Sequence, residues 1–569
     1  MDKAVQRLRA VRRHVPLGVV ALCFMLLRVS VALYLAVLAG HLAPHVLGLT
    51  EARSFITFEL PIVVGLLLLY LVLGFASRYS TARLSEELAH SLRLRIHHHY
   101  LDSPVGPRDR LAIGERLKVA TGGVDEFARF LSTVLPAVVP NLILLAGAFL
   151  VMWSVSPPFG IATAVLAPLA LVLAALPRTI RGPGGQALLE RKQRILRMLE
   201  EHLRLLPMIK SLGGEAVSAR RFAHQSGGVK EIAKRHNFIV SLVEPAANAI
   251  AVGCVGIVAV LLCRGLVRGD IAIGEAMTFT IAAMLFVKAV RVILSAVRSY
   301  ADIRNSAHDI FDAFSLESEL PSSPMLLEPP LPRSAFARTL HFHRVGYSYE
   351  VGLPVLGGVD FSIAPGEFVA ITGPNGAGKS TLLQLLLRFF DPTRGEIMIG
   401  DRPIQTYPIR ELRRAVGYLP QRVELFADTV WNNVIYGAPD TTLAQVEEAA
   451  IITGLNEVVR DLPHRYDTVV GRDGIELSAG QAQRVALTRA IVRDTPILVL
   501  DEPSGPLDYE SERLLVRGIR KMRPDRTLVL VTHRPSILEL ADRTLYLANG
   551  RLVDAPASTG RRGRLFSVG

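Results

Sequence analysis

Gly373, Pro374, Asn375, Gly376, Ala377, Gly378, Lys379, Ser380 and Thr381 form one unbroken run in the C-terminal part of the chain. An apolar, strand-like stretch precedes it, Glu367 to Thr372 (Glu-Phe-Val-Ala-Ile-Thr), and a helical stretch follows, Leu382 to Phe389. Strand, glycine-rich turn and helix in this order is the setting a phosphate-binding loop requires. Glycines let the backbone bend until its N–H groups converge on phosphate oxygens, and the helix N-terminus adds favourable potential. Lys379 is placed to neutralise the outer phosphates and the Ser380 hydroxyl to hold Mg2+. A chance glycine-rich turn lacks the Lys-Ser-Thr ending and both flanks.

Further along, Ile497-Leu-Val-Leu500 is followed by Asp501 and Glu502. Four consecutive apolar residues suit a strand buried on both faces. Alone, an acidic pair at such a strand end is commonplace and solvated. Downstream of a phosphate loop it acquires roles: Asp501 holds Mg2+, directly or through water, and Glu502 polarises an attacking water as general base.

With these two motifs in order, the chain resembles the ABC transporter ATPase family, and more motifs fall in that family's sequence. Leu477, Ser478, Ala479, Gly480 and Gln481 resemble its signature, which usually reads LSGGQ, and the match runs on through Gln481 to Ala490. The resemblance makes Gln421 (in Gly417-Tyr-Leu-Pro-Gln421) a contact for Mg2+ and the membrane domain. It makes His533 the switch histidine near the γ-phosphate, Asp508 part of a loop crossing a dimer interface, and Tyr349 the aromatic that stacks on adenine. It covers residues 336–553. Two departures stand out. Ala479 replaces the middle signature glycine, which is harmless unless that position needs positive φ or close phosphate approach. Gly505-Pro506 replaces the usual Ser-Ala of the interface loop and changes its stiffness.

The N-terminal part has a different character. Of 569 residues, 50% are hydrophobic, and the mean hydropathy is +0.34. The apolar load is concentrated in residues 16–297. A membrane-spanning helix needs about 20 mostly apolar residues, and six windows meet or approach that: 17–40, 55–77, 133–154, 158–177, 239–263 and 271–296. The connections 78–132 and 178–238 are long, charged and helix-like. With the basic N-terminal tail they are expected on the cytoplasmic side, because Lys and Arg favour that face. Residues 316–335, rich in Pro and Ser, read as a linker. The expected fold is therefore an all-α transmembrane domain of six helices with long cytoplasmic extensions (1–315), a linker (316–335), and an α/β P-loop ATPase domain of ABC type (336–569).

The chain also resembles the exporter-type ABC fold, more loosely, through Tyr466 to Gly474 just before the signature and, in the N-terminal half, Met208 to Glu215 with Arg220 to Phe222, and Leu266 to Gly274. The resemblance implies ATP and Mg2+ as ligands. It also implies a second half-transporter, identical or different, because Ser478 and Gly480 of one chain close on nucleotide held by the other. Differential affinity of ATP for the closed pair then drives reorientation of the spans.

The net charge of +13 comes without a basic stripe interleaved with aromatics, so membrane lipid and not nucleic acid is the expected polyanion. Three cysteines, Cys23, Cys254 and Cys263, lie in apolar runs and make no disulfide framework. His97-His98-His99 point to different helix faces and read as a solvated helix. Arg28, Glu59, Glu244, Lys288 and Arg291 are charges inside spans, which are costly and suggest function. They pair internally, Arg28 with Glu59 for example, or line a cationic cavity for an anionic lipid or lipid-linked glycan. Only about 16 residues precede the first span, which argues against a peptide exporter that trims its cargo. Outward movement of a lipid, lipid-linked or amphipathic substrate leads; uptake of a metal-chelate or other small molecule on the same fold stays open.

Overall fold

The structure, a computed structural model, describes residues 11–46, 59–104, 116–117, 119–179, 182–315, 331–350, 352–503, 509–522 and 526–553. The side chains of 170–190 and many over 235–261 lie outside the description, Glu244 among them, as do residues 504–508 with Gly505, Pro506 and Asp508. Contacts divide the chain into two units: Met1–Tyr100 with Gly114–Leu316, and Leu101–Ile113 with Glu317–Gly569.

The first unit is helical. Its main elements are α1 (Val11–Val46), α2 (Leu60–Leu101), α3 (Leu135–Val155), α4 (Pro157–Thr179), α5 (Gly182–Arg204), α6 (Leu206–Ser211), α7 (Glu215–Arg268) and α8 (Ile273–Ser315). At about 1.5 Å per residue, the 42 residues of α2, 54 of α7 and 43 of α8 far exceed a hydrocarbon core of about 30 Å. These are the expected spans with polar extensions. Among the described residues, four helices are long and apolar enough to cross a membrane: Val15–Ala43, Leu60–Leu101, Val119–Val155 and Ile273–Val297. α4 and α7 run through the expected fourth and fifth windows, but only Pro157–Leu166 of that region counts as an apolar helix among the described residues. For those two the count of six rests on sequence.

Local chemistry explains the breaks. Ser156 precedes a proline, which disfavours helical backbone, and it is extended at φ −156°, ψ 106°. Pro157 then opens α4 at a position where its missing N–H costs nothing. α7 stops at Gly269, φ +77°, whose N–H donates to the carbonyls of Gly265 and Leu266, a left-handed helix cap. Leu84, Leu88, Leu92 and Ile96 of α2 bury against Val124, Phe127, Ile303 and Ile310. Nearer the apolar ends, Ala148 and Met152 meet Phe279, Ala282 and Phe286. By contrast Leu71 and Phe75 of α2 are 64% and 72% exposed. Such a large contiguous apolar face marks lipid contact.

Among the described residues the second unit contains three sheets. β1 (Leu340–Glu350), β2 (Leu353–Ile363), β4 (Arg394–Ile399) and β5 (Arg402–Pro403) form an antiparallel sheet in the order β2-β1-β4-β5. β3 (Phe368–Thr372), β6 (Val416–Leu419), β9 (Ile497–Asp501), β10 (Thr527–Val531), β11 (Arg543–Ala548) and β12 (Arg551–Val553) form the main sheet, ordered β12-β11-β3-β10-β9-β6 and parallel except for β12. A small ribbon joins β7 (Asp428–Thr429) and β8 (Val469–Val470).

Every residue of β3, β9 and β10 is buried, which is why these strands read as unbroken apolar runs. Their alternate side chains enter two cores. Val369, Ile371, Val499 and Val529 pack with the antiparallel sheet and with Leu382 and Leu385 of α9 (Lys379–Leu386). Phe368, Leu498, Leu500 and Leu530 pack against Ala486, Leu487 and Ile491 of α10 (Ala479–Val492) and Leu515 of α11 (Tyr509–Met522).

Candidate active site

Register brings the motifs together. Val531 pairs with Asp501 and with Ile371, and Leu419 with Leu500. Four parallel strands therefore end side by side, and their outgoing loops carry the phosphate loop, Gln421, Asp501-Glu502 and His533. Crevices at the C-terminal ends of parallel strands are where open α/β sheets hold ligands.

The phosphate loop is shaped by backbone that only glycine adopts freely. Gly373, Gly376 and Gly378 have φ of +144°, +79° and +98°. A Cβ on Gly373 would lie 1.9 Å from the Leu547 carbonyl oxygen. α9 begins at Lys379 itself and ends at Leu386, earlier at both ends than the stretch Leu382 to Phe389 that the sequence suggests. The Lys379 ammonium, 7% exposed as a residue, donates to the carbonyls of Gly373 (2.8 Å) and Pro374 (2.9 Å). Burial pulls its pKa below the ordinary lysine value, and nearby Glu502 and Asp501 oppose that.

Asp501 is 2% exposed. Its Oδ1 has no hydrogen-bond partner among the described residues. Burial raises its pKa, and neighbouring Glu502 adds to the rise; a hydrogen bond from Ser380 and the charge of Lys379 oppose it. Burial and Asp501 together push the Tyr418 phenol upward. Glu502 accepts from Gln421 Nε2 at 2.9 Å, and its other oxygen lies 3.7 Å from His533 Nε2. His533 Nδ1 is 3.5 Å from Thr372 Oγ1. Glu502 itself sits at φ +52°, unusual for a residue with a side chain.

Tyr349 reaches the same loop. Its hydroxyl lies 3.1 Å from Thr381 Oγ1 and from Gln384 Oε1. Ser478, Ala479, Gly480 and Gln481 make no hydrogen bond to this group among the described residues. Ser478 caps α10, and with Gln481 forms a reciprocal capping box, which satisfies two otherwise orphaned N–H groups. Ala479 is the first residue of the helix and has no positive φ, so the departure from glycine carries no backbone strain. Arg28 does not pair with Glu59: among the described residues no ion pair joins them, and the Arg28 guanidinium lies 4.4 Å over the Tyr70 ring. Lys288 Nζ donates to the hydroxyl of that tyrosine at 3.3 Å.

Sequence reading gave no role to Thr372, Gln384 or Gln483. For Gln483 the signal was present: a polar residue four places after exposed Ala479 falls on the buried side of the helix.

Residues 356–505 match the ABC transporter family and residues 19–290 the ABC transporter transmembrane region. The ATP-dependent lipid A-core flippase of Alkalilimnicola ehrlichii is 30% identical over 503 residues, covering 86% of this chain and 83% of that protein. That of Chromobacterium violaceum is 30% identical over 515 residues, covering 89% and 85%. A bacterial Atm1-family ABC exporter with ATP bound shares the fold, with a TM-score of 0.79, 24% identity and 94% of each chain covered.

Proposed function

The chain belongs to the ABC transporter family, and from that premise we propose that it carries an anionic lipid or lipid-linked molecule outward across the inner membrane as one half of a dimer. It is a multi-pass membrane protein with ATP hydrolysis coupled to transport. Its domains are taken as 1–315, 316–335 and 336–569, with six spans and the ATPase part in the cytoplasm.

The residues present fit Mg-nucleotide. Asp501 keeps a buried carboxylate oxygen with no partner among the described residues, beside Ser380, and the backbone at Gly373 leaves no room for a side chain. Mg2+ supplies charge neutralisation on the phosphates when bound. Ser380, Asp501 and Gln421 would hold it. The backbone from Gly373 through Pro374, Asn375, Gly376, Ala377 and Gly378 to Thr381 would cradle the phosphates, with Lys379 released from its carbonyls to neutralise them. Tyr349 would face the adenine. Glu502 takes a proton from water, His533 stands at the outer phosphate, and Ser478 to Gln481, with Asp508, serve the partner chain's nucleotide.

The observation that carries the substrate reading is the grouping of Arg28, Tyr70 and Lys288 from α1, α2 and α8. Placing a charge at mid-bilayer costs about 3 kcal/mol on insertion scales. Here two cations converge on one tyrosine, and no acidic side chain neutralises either among the described residues. An anionic headgroup would do so. The lipid A-core flippases it resembles, at 30% identity, support a lipid over a metal-chelate and outward movement over uptake. The test is ATPase activity in lipid discs against a panel of anionic, zwitterionic and lipid-linked substrates. Anionic lipids should stimulate, and Arg28→Gln with Lys288→Gln should abolish that stimulation. Stimulation unchanged in the double variant rejects the headgroup reading.

A further inference from the structure

Glu502 occupies an improbable backbone position. Left-handed φ is disfavoured for any residue with a Cβ, and Pro503 follows it, which restricts the preceding residue further. A strained turn of this kind persists only where its surroundings over-determine it. Two hydrogen bonds do so here. Glu502 N–H donates to the Val531 carbonyl at 2.9 Å, and Glu502 C=O accepts from Gln483 Nε2 at 3.1 Å. The first is set by the sheet. The second comes from a single side chain on α10, 2% exposed. Its Oε1 has no hydrogen-bond partner among the described residues. The orientation of the amide is fixed by chemistry: turned over, it would set two acceptors against each other.

We propose that Gln483 is a positioning residue for hydrolysis: its amide holds the Glu502 carbonyl and thereby the turn that aims the Glu502 carboxylate at water. This rests on the reading of Glu502 as general base. It also explains why a fully buried position on an otherwise apolar helix face carries an amide. α10 begins at the Ser478 capping box, so the helix that meets the partner's nucleotide is the one that grips this chain's own Glu502 peptide.

Three variants of the full chain in lipid discs test this, with kcat, KM for ATP and ATP affinity measured for each. Gln483→Met keeps the volume and removes the donor. It should lower kcat by about ten- to a hundred-fold, the scale of a small misplacement of a reacting group, with ATP affinity changed less than three-fold. Gln483→Glu keeps the shape and donates only when protonated. Its activity should fall with rising pH along a limb that the parent protein lacks. A kcat within two-fold of the parent in Gln483→Met, or a loss of ATP affinity matching the loss of kcat, overturns the proposal, as does a Gln483→Glu profile parallel to the parent's. Glu502→Gln separates the two readings: if it turns over ATP normally, Glu502 is not the base, whatever Gln483 does.

Discussion

Gln421 Nε2 donates to Glu502 Oε2 at 2.9 Å, across 81 positions of sequence. The contact follows from sheet order: β6 and β9 are neighbours in parallel register, so the residues leaving Leu419 and Leu500 emerge together. Hydrogen bonds to a charged group contribute about 1.5–3 kcal/mol. Gln421→Ala should therefore lower kcat roughly ten-fold or more through a misaimed carboxylate. A titration with Mg2+ shows which contact matters. Full recovery at high Mg2+ would mean that Gln421 acts on the metal alone.

Glu502→Gln should reduce steady ATP turnover by about 10²- to 10⁴-fold, the usual contribution of a positioned general base. Nucleotide binding should persist, because Lys379 and the phosphate-loop backbone are untouched. Turnover measured beside equilibrium nucleotide binding checks both halves. Retained turnover removes Glu502 from its role.

Much of the ATPase half was legible because its motifs are local. A glycine-rich turn between a strand and a helix declares itself within nine residues, and β3, β9 and β10 announce two-sided burial by composition. What sequence could not supply was register. Nothing in the order of residues says that His533 approaches Glu502, or that Gln483 reaches its carbonyl. In the helical half, Pro157 and Gly269 fixed helix ends through backbone chemistry. Opposite charge favours an ion pair between Arg28 and Glu59, yet none joins them among the described residues, because helix packing turns Arg28 to Tyr70. Tyr70 gave no sequence signal, since a tyrosine in a spanning segment is unremarkable at a membrane interface.

Asp501 makes a pH prediction. Burial holds its carboxyl above the ordinary value of 3.8, so the folded protein binds this proton more tightly than the unfolded chain. Its contribution to stability is full below the unfolded value and is lost as pH rises through the raised folded one. Asp501→Asn should remove that part of the slope and raise the melting temperature of nucleotide-free protein near neutral pH by a few degrees, since about 1 kcal/mol shifts Tm by roughly 2–4 °C in a domain of this size. The same variant should lose Mg-dependent nucleotide hydrolysis. A melting temperature that falls, with the pH slope unchanged, would show that the buried charge is compensated.

Ala479 invites the reverse substitution. Its helical conformation at the first position of α10 means glycine offers no relief of strain and adds unfolded-state entropy of about 0.5–1 kcal/mol. Ala479→Gly should leave ATP turnover within two-fold and stability equal or slightly lower. A several-fold gain in turnover would mean that the methyl group obstructs the nucleotide of the partner chain.

The membrane half offers a packing test at Gly40 and Gly274. A Cβ on Gly274 would stand 2.2 Å from the Gly40 carbonyl oxygen, and one on Gly40 would stand 1.8 Å from Thr278 Oγ1. α1 and α8 thus approach closely through paired small residues, the arrangement that lets helices associate in lipid, where no hydrophobic drive exists between them. Because the obstructing atom is backbone, no rotamer change relieves the clash, and the helices must separate. Overpacking of this kind costs about 1–3 kcal/mol. Gly274→Ala should lower the melting temperature of the purified protein and weaken stimulation by lipid, since α8 also carries Lys288. Gly65 on α2 has nothing within 4 Å of an added Cβ among the described residues, so Gly65→Ala is the matched control and should be neutral or mildly stabilising through helix propensity. If the two variants melt alike, the close approach of α1 and α8 does not govern the packing of this unit.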